Sequence, residues 1–493
     1  MKLYLSVLLL IVCCCRQNFS AAHEINPSLV MRTLTARIEI VSAENAVARV
    51  TGKISAPQKH WSLVDVLANA SNLAKRISSI QFADDKSAQI NFTKQADGEF
   101  ETETAASQFS YLVKLDFPID AAMPQAAHVS WLNQHNGLLL PADLLPDFGA
   151  ETVNSQLVLA LPANWRIATS ESRSSENEFE TVNFAKTVFF VGEFSEQSAQ
   201  FEKTTINLAQ IGDWTFTGDE MLDFVVQILA EHKKTFGSLS IGKIQLLLVP
   251  FPQKFGGEQW EAETRGTTVI LCAAQIAFKS RAQSRLHEQL RHELFHLWIP
   301  NNLNLTGDYA WFYEGFALYQ AAKIGVKLKY IRFADFLDVL SRAYDAARFD
   351  SNNKNLSLLD ASRLRWRGNL SNFVYAKGMI VAFLCDLAFL ETSGGKKSLD
   401  ALLKELNNRF QKQDAPVTAN DAVLAVLKSF PSLRIIVEQT IETASEIDWT
   451  PNLTAAGLKN AAKTSLTRLA PIERLNNRQQ RVLKALGAQA IEN

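Results

Sequence analysis

The hydrophobic positions of the first 205 residues form short runs separated by polar turn residues, which is typical of β-strands. Runs rich in Val, Ile, Leu and Phe predict strands at 34–41, 46–54, 110–117, 155–161 and 187–194. Glycine is sparse and no repeat is visible. Several short strands in succession favour an antiparallel β-sandwich.

The period of the pattern then changes to that of α-helices. An amphipathic helix is predicted at 218–237, followed by strands at 244–249 and 267–272. The next helix has apolar residues at helical spacing, namely Leu286, Leu290, Leu294 and Leu297. Its charged residues and one histidine are expected on the exposed side; they are Arg281, Arg285, His287, Glu288 and Arg291. Pro300 should end this helix.

The remainder of the chain is predicted to be mostly helical. The segments concerned are 310–323, 398–410, 419–430 and 433–444. The apolar segment 379–390 is too short to span a bilayer and carries Asp386, so we expect a buried helix and no transmembrane span in the mature chain.

The length of 493 residues predicts more than one domain. We expect a multidomain chain with a β-sandwich at 23–205, an α+β domain at 206–400 and a helical region at 401–493. The formal net charge is −1 and no basic run stands out, which argues against nucleic acid as a partner.

The first 22 residues have the pattern of a signal peptide. Met1 and Lys2 precede an apolar segment, and small residues up to Ala22 offer a cleavage site, so we expect export to the periplasm or the exterior. Lipid attachment at a cysteine of this segment is the alternative. The mature chain would keep Cys272 and Cys385, which lie in apolar runs and are expected to be buried free thiols.

The candidate chemistry lies in His292-Glu293-Leu294-Phe295-His296. Two histidines four residues apart project from one face of a helix, so both imidazoles can bind one Zn²⁺. The carboxylate of Glu293 lies beside that face and can take a proton from the attacking water. With only eight histidines in the chain, this arrangement is expected by chance roughly 0.01 times or less.

Glu314 follows eighteen residues after His296 in a largely apolar helix. A carboxylate there would be costly to bury alone, whereas a cation would favour it. Three protein ligands would leave one tetrahedral position open, as a catalytic site requires. The sequence therefore predicts one Zn²⁺ per chain, held by His292, His296 and Glu314.

The motif His-Glu-x-x-His followed by Trp311-x-x-Glu314-Gly315 resembles that of the gluzincin metallopeptidases. Tyr375-Ala376-Lys377-Gly378 resembles a motif shared by the aminopeptidase N and glycyl aminopeptidase families, and the segments 384–400 and 447–458 are most similar to the glycyl aminopeptidases. The resemblance spans about residues 30–460 and is specific from about 255 to 400. It implies a thermolysin-like catalytic domain.

The resemblance also implies two further roles. Tyr375 would stabilise the oxyanion, and Gly257 and Glu258 would belong to a glycine-rich edge strand whose carboxylate binds the substrate's amino group. The segment 255–259 matches that motif imperfectly, and the loop between His296 and Glu314 is one residue shorter than in aminopeptidase N. The expected activity is aminopeptidase action on peptides or proteins. A zinc endopeptidase and a non-catalytic interaction protein with a structural metal are the alternatives.

Overall fold

The computed structural model describes residues 32–67, 70–117, 125–149, 153–252, 258–351, 355–365, 369–411, 416–462 and 464–488. These residues form two compact units. The first ends at Gly218 and also contains Ile241–Ala277, and the second comprises Asp219–Ser240 and the chain from Phe278 onwards. The predicted signal segment and Gly257 lie outside the described residues. The domain bounds predicted above stay a prediction.

The described part of the first unit, apart from the start of a long helix at its end, consists of strands, one short helix and two 3₁₀ turns. The strands are β1 (Arg32–Ser42), β2 (Val47–Ser62), β3 (Ile77–Ala83), β4 (Gln89–Ile90), β5 (Phe92–Ala96), β6 (Glu99–Lys114), β7 (Trp131–Leu132), β8 (Asn136–Leu139), β9 (Val153–Ala160), β10 (Arg166–Ala168), β11 (Ser172–Ser175), β12 (Glu178–Thr181), β13 (Phe189–Gly192), β14 (Ser195–Phe201), β15 (Thr204–Gln210), β16 (Lys243–Pro250), β17 (Trp260–Arg265) and β18 (Thr268–Ala273). The helix α1 is Pro141–Leu144, and the 3₁₀ turns are Leu73–Arg76 and Phe184–Lys186.

Two sheets of this unit pack over a common hydrophobic core. The larger has the order β11-β12-β9-β1-β2-β6-β3-β4, with β5 on β6, and the smaller has the order β10-β13-β8-β7. Side chains of both sheets, among them Trp61, Phe109 and Phe189, are buried in one cluster. The predicted β-rich N-terminal region is confirmed. Its larger sheet is not purely antiparallel, because β1 pairs with β9 in parallel.

A third sheet completes the first unit, with the order β14-β15-β16-β18-β17. Its strand β17 is buried along its whole length although it contains Glu261, Glu263 and Arg265. The imidazole of His128 lies between the two carboxylates, with Nε2 2.8 Å from Glu261 Oε1 and Nδ1 2.7 Å from Glu263 Oε2. Arg265 Nε lies 3.0 Å from Glu263 Oε1. Opposite charges therefore balance one another inside this sheet.

The second unit is mostly helical, as predicted. Its helices are α2 (Gly218–Phe236, which begins at the end of the first unit), α3 (Lys279–Glu293), α4 (Ala310–Lys327), α5 (Phe333–Arg348), α6 (Leu358–Leu364), α7 (Ser371–Ser393), α8 (Asp400–Phe410), α9 (Ala419–Ser429), α10 (Arg434–Ile436), α11 (Thr450–Ala456) and α12 (Asn477–Leu486). Short strands pair as β19 (Leu305–Thr306) with β20 (Val417–Thr418), and as β21 (Leu458–Asn460) with β22 (Leu469–Pro471). Turns of other helix types are Leu294–Leu297 and Pro431–Leu433 (3₁₀) and Val437–Ile441 (π).

Helix α7 is long and apolar enough to cross a membrane, but its whole apolar segment is buried within the protein. The carboxylate of Asp386 accepts hydrogen bonds from Lys323 Nζ at 2.8 Å and from the Tyr319 hydroxyl at 2.6 Å. A buried carboxylate with such partners belongs in a protein interior. The prediction of a buried core helix is confirmed.

Cys272 and Cys385 are both buried and free. Cys272 lies on β18 and Cys385 on α7. Burial raises the pKa of the Cys272 thiol well above its ordinary value, and negative charge on Glu261 and Glu263 acts in the same direction. These side chains are core residues, as their apolar surroundings in the sequence predicted.

Candidate metal centre and active site

Helix α3 carries the two histidines at its C-terminal end. The α-helix ends at Glu293, and the chain continues as the 3₁₀ turn Leu294–Leu297. The predicted regular helix up to Pro300 is therefore wrong in its last turn, where a tighter winding replaces it. His292 and His296 still project towards each other, and their Nε2 atoms lie 3.1 Å apart.

The exposed side predicted for α3 is also wrong at two positions. His287 is fully buried and Arg291 is only 4% exposed. The His287 ring stacks on Tyr330 with a centroid distance of 3.4 Å, and the ring of Phe224 on α2 meets its edge. The Arg291 guanidinium occupies the space beside Gly325 on α4, where a side chain would collide with it. Neighbouring parts of the protein thus bury a face of α3 that its charged residues predicted to be exposed.

Helix α4 brings Glu314 to the two histidines. Glu314 Oε2 lies 3.2 Å from His292 Nε2 and 3.7 Å from His296 Nε2. All three side chains are buried, and within the described ranges they form the one group of side chains with a suitable arrangement of metal-binding atoms. Two donors at roughly 2.0–2.1 Å from a tetrahedral Zn²⁺ lie about 3.3–3.4 Å apart. Two imidazole nitrogens and a carboxylate oxygen at these separations fit a zinc ion.

The orientation of the imidazoles also suits a metal ligand. Nδ1 of His296 lies 2.9 Å from the carbonyl oxygen of Ile299. Because a carbonyl oxygen only accepts, Nδ1 donates this hydrogen bond and the lone pair lies on Nε2, the atom that faces Glu314. Burial lowers the pKa of His292 below its ordinary value, although the negative charge of Glu293 opposes the shift. Both rings are therefore suited to bind a cation in their neutral form.

Glu293, the proposed proton acceptor, is buried at the last α-helical position of α3. It directly follows His292, so its carboxylate belongs to the same turn as the first imidazole. A carboxylate in this turn that is held away from bulk solvent is suited to accept a proton from an attacking water.

Helices α4 and α7 cross at two glycines. A Cβ on Gly315 would lie 2.4 Å from the carbonyl carbon of Gly378 and 2.5 Å from its Cα, and a Cβ on Gly378 would lie 2.2 Å from the carbonyl oxygen of Trp311. Only glycine permits such an approach of two backbones. Glu314 precedes one of these glycines by one residue, and Tyr375 precedes the other by three. The crossing therefore places the helix of Tyr375 directly against the helix of Glu314.

Tyr375 is 1% exposed on α7. Nearby, Nζ of the buried Lys377 donates a hydrogen bond to the carbonyl oxygen of Ser445 at 3.2 Å. Burial lowers the pKa of Lys377 to about 8. Lys377 thus connects α7 to the segment that contains Ser445. Gly378 allows the close contact between α7 and α4, so both residues have a structural role.

The two residues predicted to bind the substrate's amino group lie in a different part of the chain. Glu258 is exposed and lies two residues before the start of β17 in the first compact unit, whereas the metal-binding side chains belong to the second unit. Gly257 lies outside the described residues. The substrate-binding assignment of this pair remains a prediction.

A network of charged and polar side chains at the beginning of α4 was not predicted. Asp308 Oδ1 accepts hydrogen bonds from the Ala310 backbone N–H at 3.0 Å and from Ser362 Oγ at 3.1 Å, and Asp308 forms an ion pair with Arg365. An Asp just before a helix is a recognisable capping signal in a sequence. Arg365 carries no such signal, because it lies in the polar stretch Ser362-Arg363-Leu364-Arg365, where an exposed side chain is the ordinary expectation.

The comparison with known proteins found no matching family model and no matching curated protein. Solved structures do match. The aminopeptidase N family protein from Idiomarina loihiensis is 16% identical, and the alignment covers 86% of this chain and 78% of that one with a TM-score of 0.71. A mutant of the M1 zinc metallopeptidase from Deinococcus radiodurans, bound to a Tyr-Ser-Ala substrate, is 14% identical over 84% of this chain and 95% of that one, with a TM-score of 0.55.

A third structure, a two-domain M1 zinc metallopeptidase mutant bound to L-tryptophan, is 15% identical. That alignment covers 84% of this chain and 96% of the other, with a TM-score of 0.53. The likeness extends over most of the chain in all three cases. The chain therefore shares the fold of the aminopeptidase N family protein and the M1 zinc metallopeptidases.

Proposed function

We propose that this chain is a zinc-dependent peptidase that acts as an aminopeptidase. The observation that carries the proposal is the buried group of His292, His296 and Glu314, whose donor atoms lie 3.1–3.7 Å apart. Three such donors leave a fourth tetrahedral position for a ligand from outside the protein, which distinguishes a catalytic from a structural zinc site.

The protein's own groups would divide the chemistry of peptide hydrolysis between them. When bound, zinc acts as a Lewis acid that polarises the peptide carbonyl and makes water more acidic. Glu293 accepts the proton of the attacking water and passes it to the leaving amine. Tyr375 donates a hydrogen bond to the oxyanion of the tetrahedral intermediate, a role that rests on the resemblance of its motif.

Exopeptidase action rests on Glu258. The free α-amino group of a peptide is cationic below its pKa of about 8, so an aminopeptidase needs a carboxylate to bind it. One solved neighbour, the Deinococcus metallopeptidase mutant, is described with a Tyr-Ser-Ala substrate. For this chain we propose that the substrates are peptides with a free amino terminus. Residues 206–400 would form the thermolysin-like region that cleaves them. The protein would act after export and after removal of the signal segment near Ala22.

Metal analysis is the first test. The purified wild-type chain should contain about one Zn²⁺, and His292→Ala and Glu314→Ala should lose most of it. His135→Ala, which changes an exposed histidine, is the matched control and should keep the zinc. Undiminished zinc in both site variants would show that the ligands are assigned wrongly. A wild-type chain that binds zinc and hydrolyses no peptide would favour the non-catalytic alternative.

A substrate panel distinguishes the two peptidase alternatives. Free and amino-acetylated forms of the same peptides are compared, with and without chelator. An aminopeptidase should cleave only the free forms, preferring small first residues if the resemblance to the glycyl aminopeptidases holds. Glu258→Ala should raise KM for them, whereas Glu176→Ala, at another exposed carboxylate of the first unit, should not. Equal cleavage of both forms would establish an endopeptidase instead.

A further inference from the structure

Arg365 is a buried cation close to the proposed metal ligands. It directly follows α6 and is 2% exposed. One nitrogen of its guanidinium pairs with the Asp308 carboxylate, and Nη2 donates a hydrogen bond to the Tyr313 hydroxyl at 3.3 Å. A planar guanidinium holds two acceptors in one fixed geometry, which a lysine ammonium does not.

Both acceptors belong to the segment that presents Glu314. Asp308 caps the first turn of α4 through the Ala310 N–H, and its backbone carbonyl accepts a hydrogen bond from Asn420 Nδ2 at 2.8 Å. Tyr313 directly precedes Glu314. Through Asp308 and Tyr313, Arg365 therefore connects the beginning of α4 with the turn that carries the third proposed metal ligand, Glu314.

Tyr313 extends this connection to a second ligand. Its ring meets the His296 imidazole edge-on, with a centroid distance of 6.0 Å and an interplanar angle of 79°, and it also contacts the Tyr309 ring at a centroid distance of 5.0 Å. Tyr313 and Tyr309 are 4% and 3% exposed. Because the phenol is enclosed and its hydroxyl is held by Arg365, the ring limits the orientations open to the imidazole.

We propose that Arg365, acting through Tyr313 and Asp308, is a positioning residue that sets the zinc affinity of the site. The inference rests on the proposed function, since it takes His296 and Glu314 as ligands. The contacts given above connect Arg365 to these ligands through Tyr313 and Asp308. Groups that orient metal ligands typically change metal affinity by 10–100-fold when they are removed. We expect an effect at the lower end of that range because Arg365 acts through a second side chain.

The test measures the zinc dissociation constant by competition with a chromophoric chelator, together with the thermal midpoint of the metal-free protein. Arg365→Lys keeps the charge beside Asp308 but cannot serve both acceptors, and should weaken zinc binding by roughly tenfold. Tyr313→Phe keeps the ring and removes only the hydroxyl, and should weaken binding by roughly three- to tenfold. Arg363→Lys, at an exposed arginine of the preceding helix α6, should leave the dissociation constant unchanged.

The double variant Arg365→Lys/Tyr313→Phe decides whether the two side chains act together. It should bind zinc no more weakly than Arg365→Lys alone, because both changes break one connection. Zinc affinity equal to wild type in both single variants would overturn the proposal even if the thermal midpoint falls, and so would additive effects. If Arg365→Lys does not fold, the result for Tyr313→Phe decides. A wild-type chain that binds no zinc would instead overturn the proposed function.

Discussion

The contact between Gly315 and Gly378 makes a specific prediction for Gly378→Ala. The new Cβ would lie 2.2 Å from the carbonyl oxygen of Trp311 and 3.1 Å from Cα of Gly315. Both are backbone atoms, so no side-chain rotation relieves the clash. A carbon and a carbonyl oxygen normally approach to about 3.3 Å, and α4 and α7 must therefore separate locally by about 1 Å.

Two free-energy contributions of opposite sign follow. Overpacking of a close contact costs about 1–3 kcal/mol, whereas alanine favours the helix over glycine by about 1 kcal/mol. The free energy of unfolding should therefore fall by at most about 2 kcal/mol, and the protein should still fold. Catalysis should suffer more, because a displacement of about 1 Å between reacting groups can lower the rate about 10²-fold.

The assay compares kcat/KM on an unblocked aminoacyl substrate with urea unfolding of the same zinc-loaded protein. We expect kcat/KM to fall by about 30- to 100-fold in Gly378→Ala, with the modest loss of stability given above. Gly242→Ala is the matched control, because no atom lies within 4 Å of its added Cβ. A Gly378→Ala protein with wild-type kcat/KM would refute the idea that this crossing sets the geometry of the site.

Three further predictions follow from single side chains. Glu293→Gln should keep the zinc but lower kcat by about 10²–10⁴-fold, because the amide cannot accept the proton; wild-type turnover would contradict its role. Tyr375→Phe should lower kcat by about 10²–10³-fold with little change in KM, whereas an effect on KM alone would indicate substrate binding instead. Burial by itself lowers the pKa of His128, but the charges of Glu263 and Glu261 outweigh it and raise the pKa to about 10. Since an unfolded histidine titrates near pH ~6.5, this ring stabilises the fold fully below that pH and loses its effect towards pH 10. The stability advantage of wild type over His128→Gln in urea unfolding should therefore shrink from pH 7 to pH 10, and a constant difference would contradict this.

The local pattern of the sequence was sufficient for most elements and for the candidate ligands. Strands such as β1 and β16 and helices such as α2 and α8 lie close to their predicted bounds. The His292–His296 pair could be predicted because four residues make about one helical turn, and the two imidazoles meet although a 3₁₀ turn replaces the last turn of the α-helix. Glu314 could be predicted because a lone carboxylate in an apolar helix needs a positive partner.

Only the tertiary structure decided which residues from distant segments meet. The charged pattern of α3 marked His287 and Arg291 as exposed, but helix packing buries both. Arg365 lies in a polar stretch and becomes a buried partner of Tyr313, 52 residues earlier in the chain. His128 meets Glu263 across 135 residues in the same way. A periodic pattern reports only which face of one element is apolar, and it holds no information on which other element will cover the polar face.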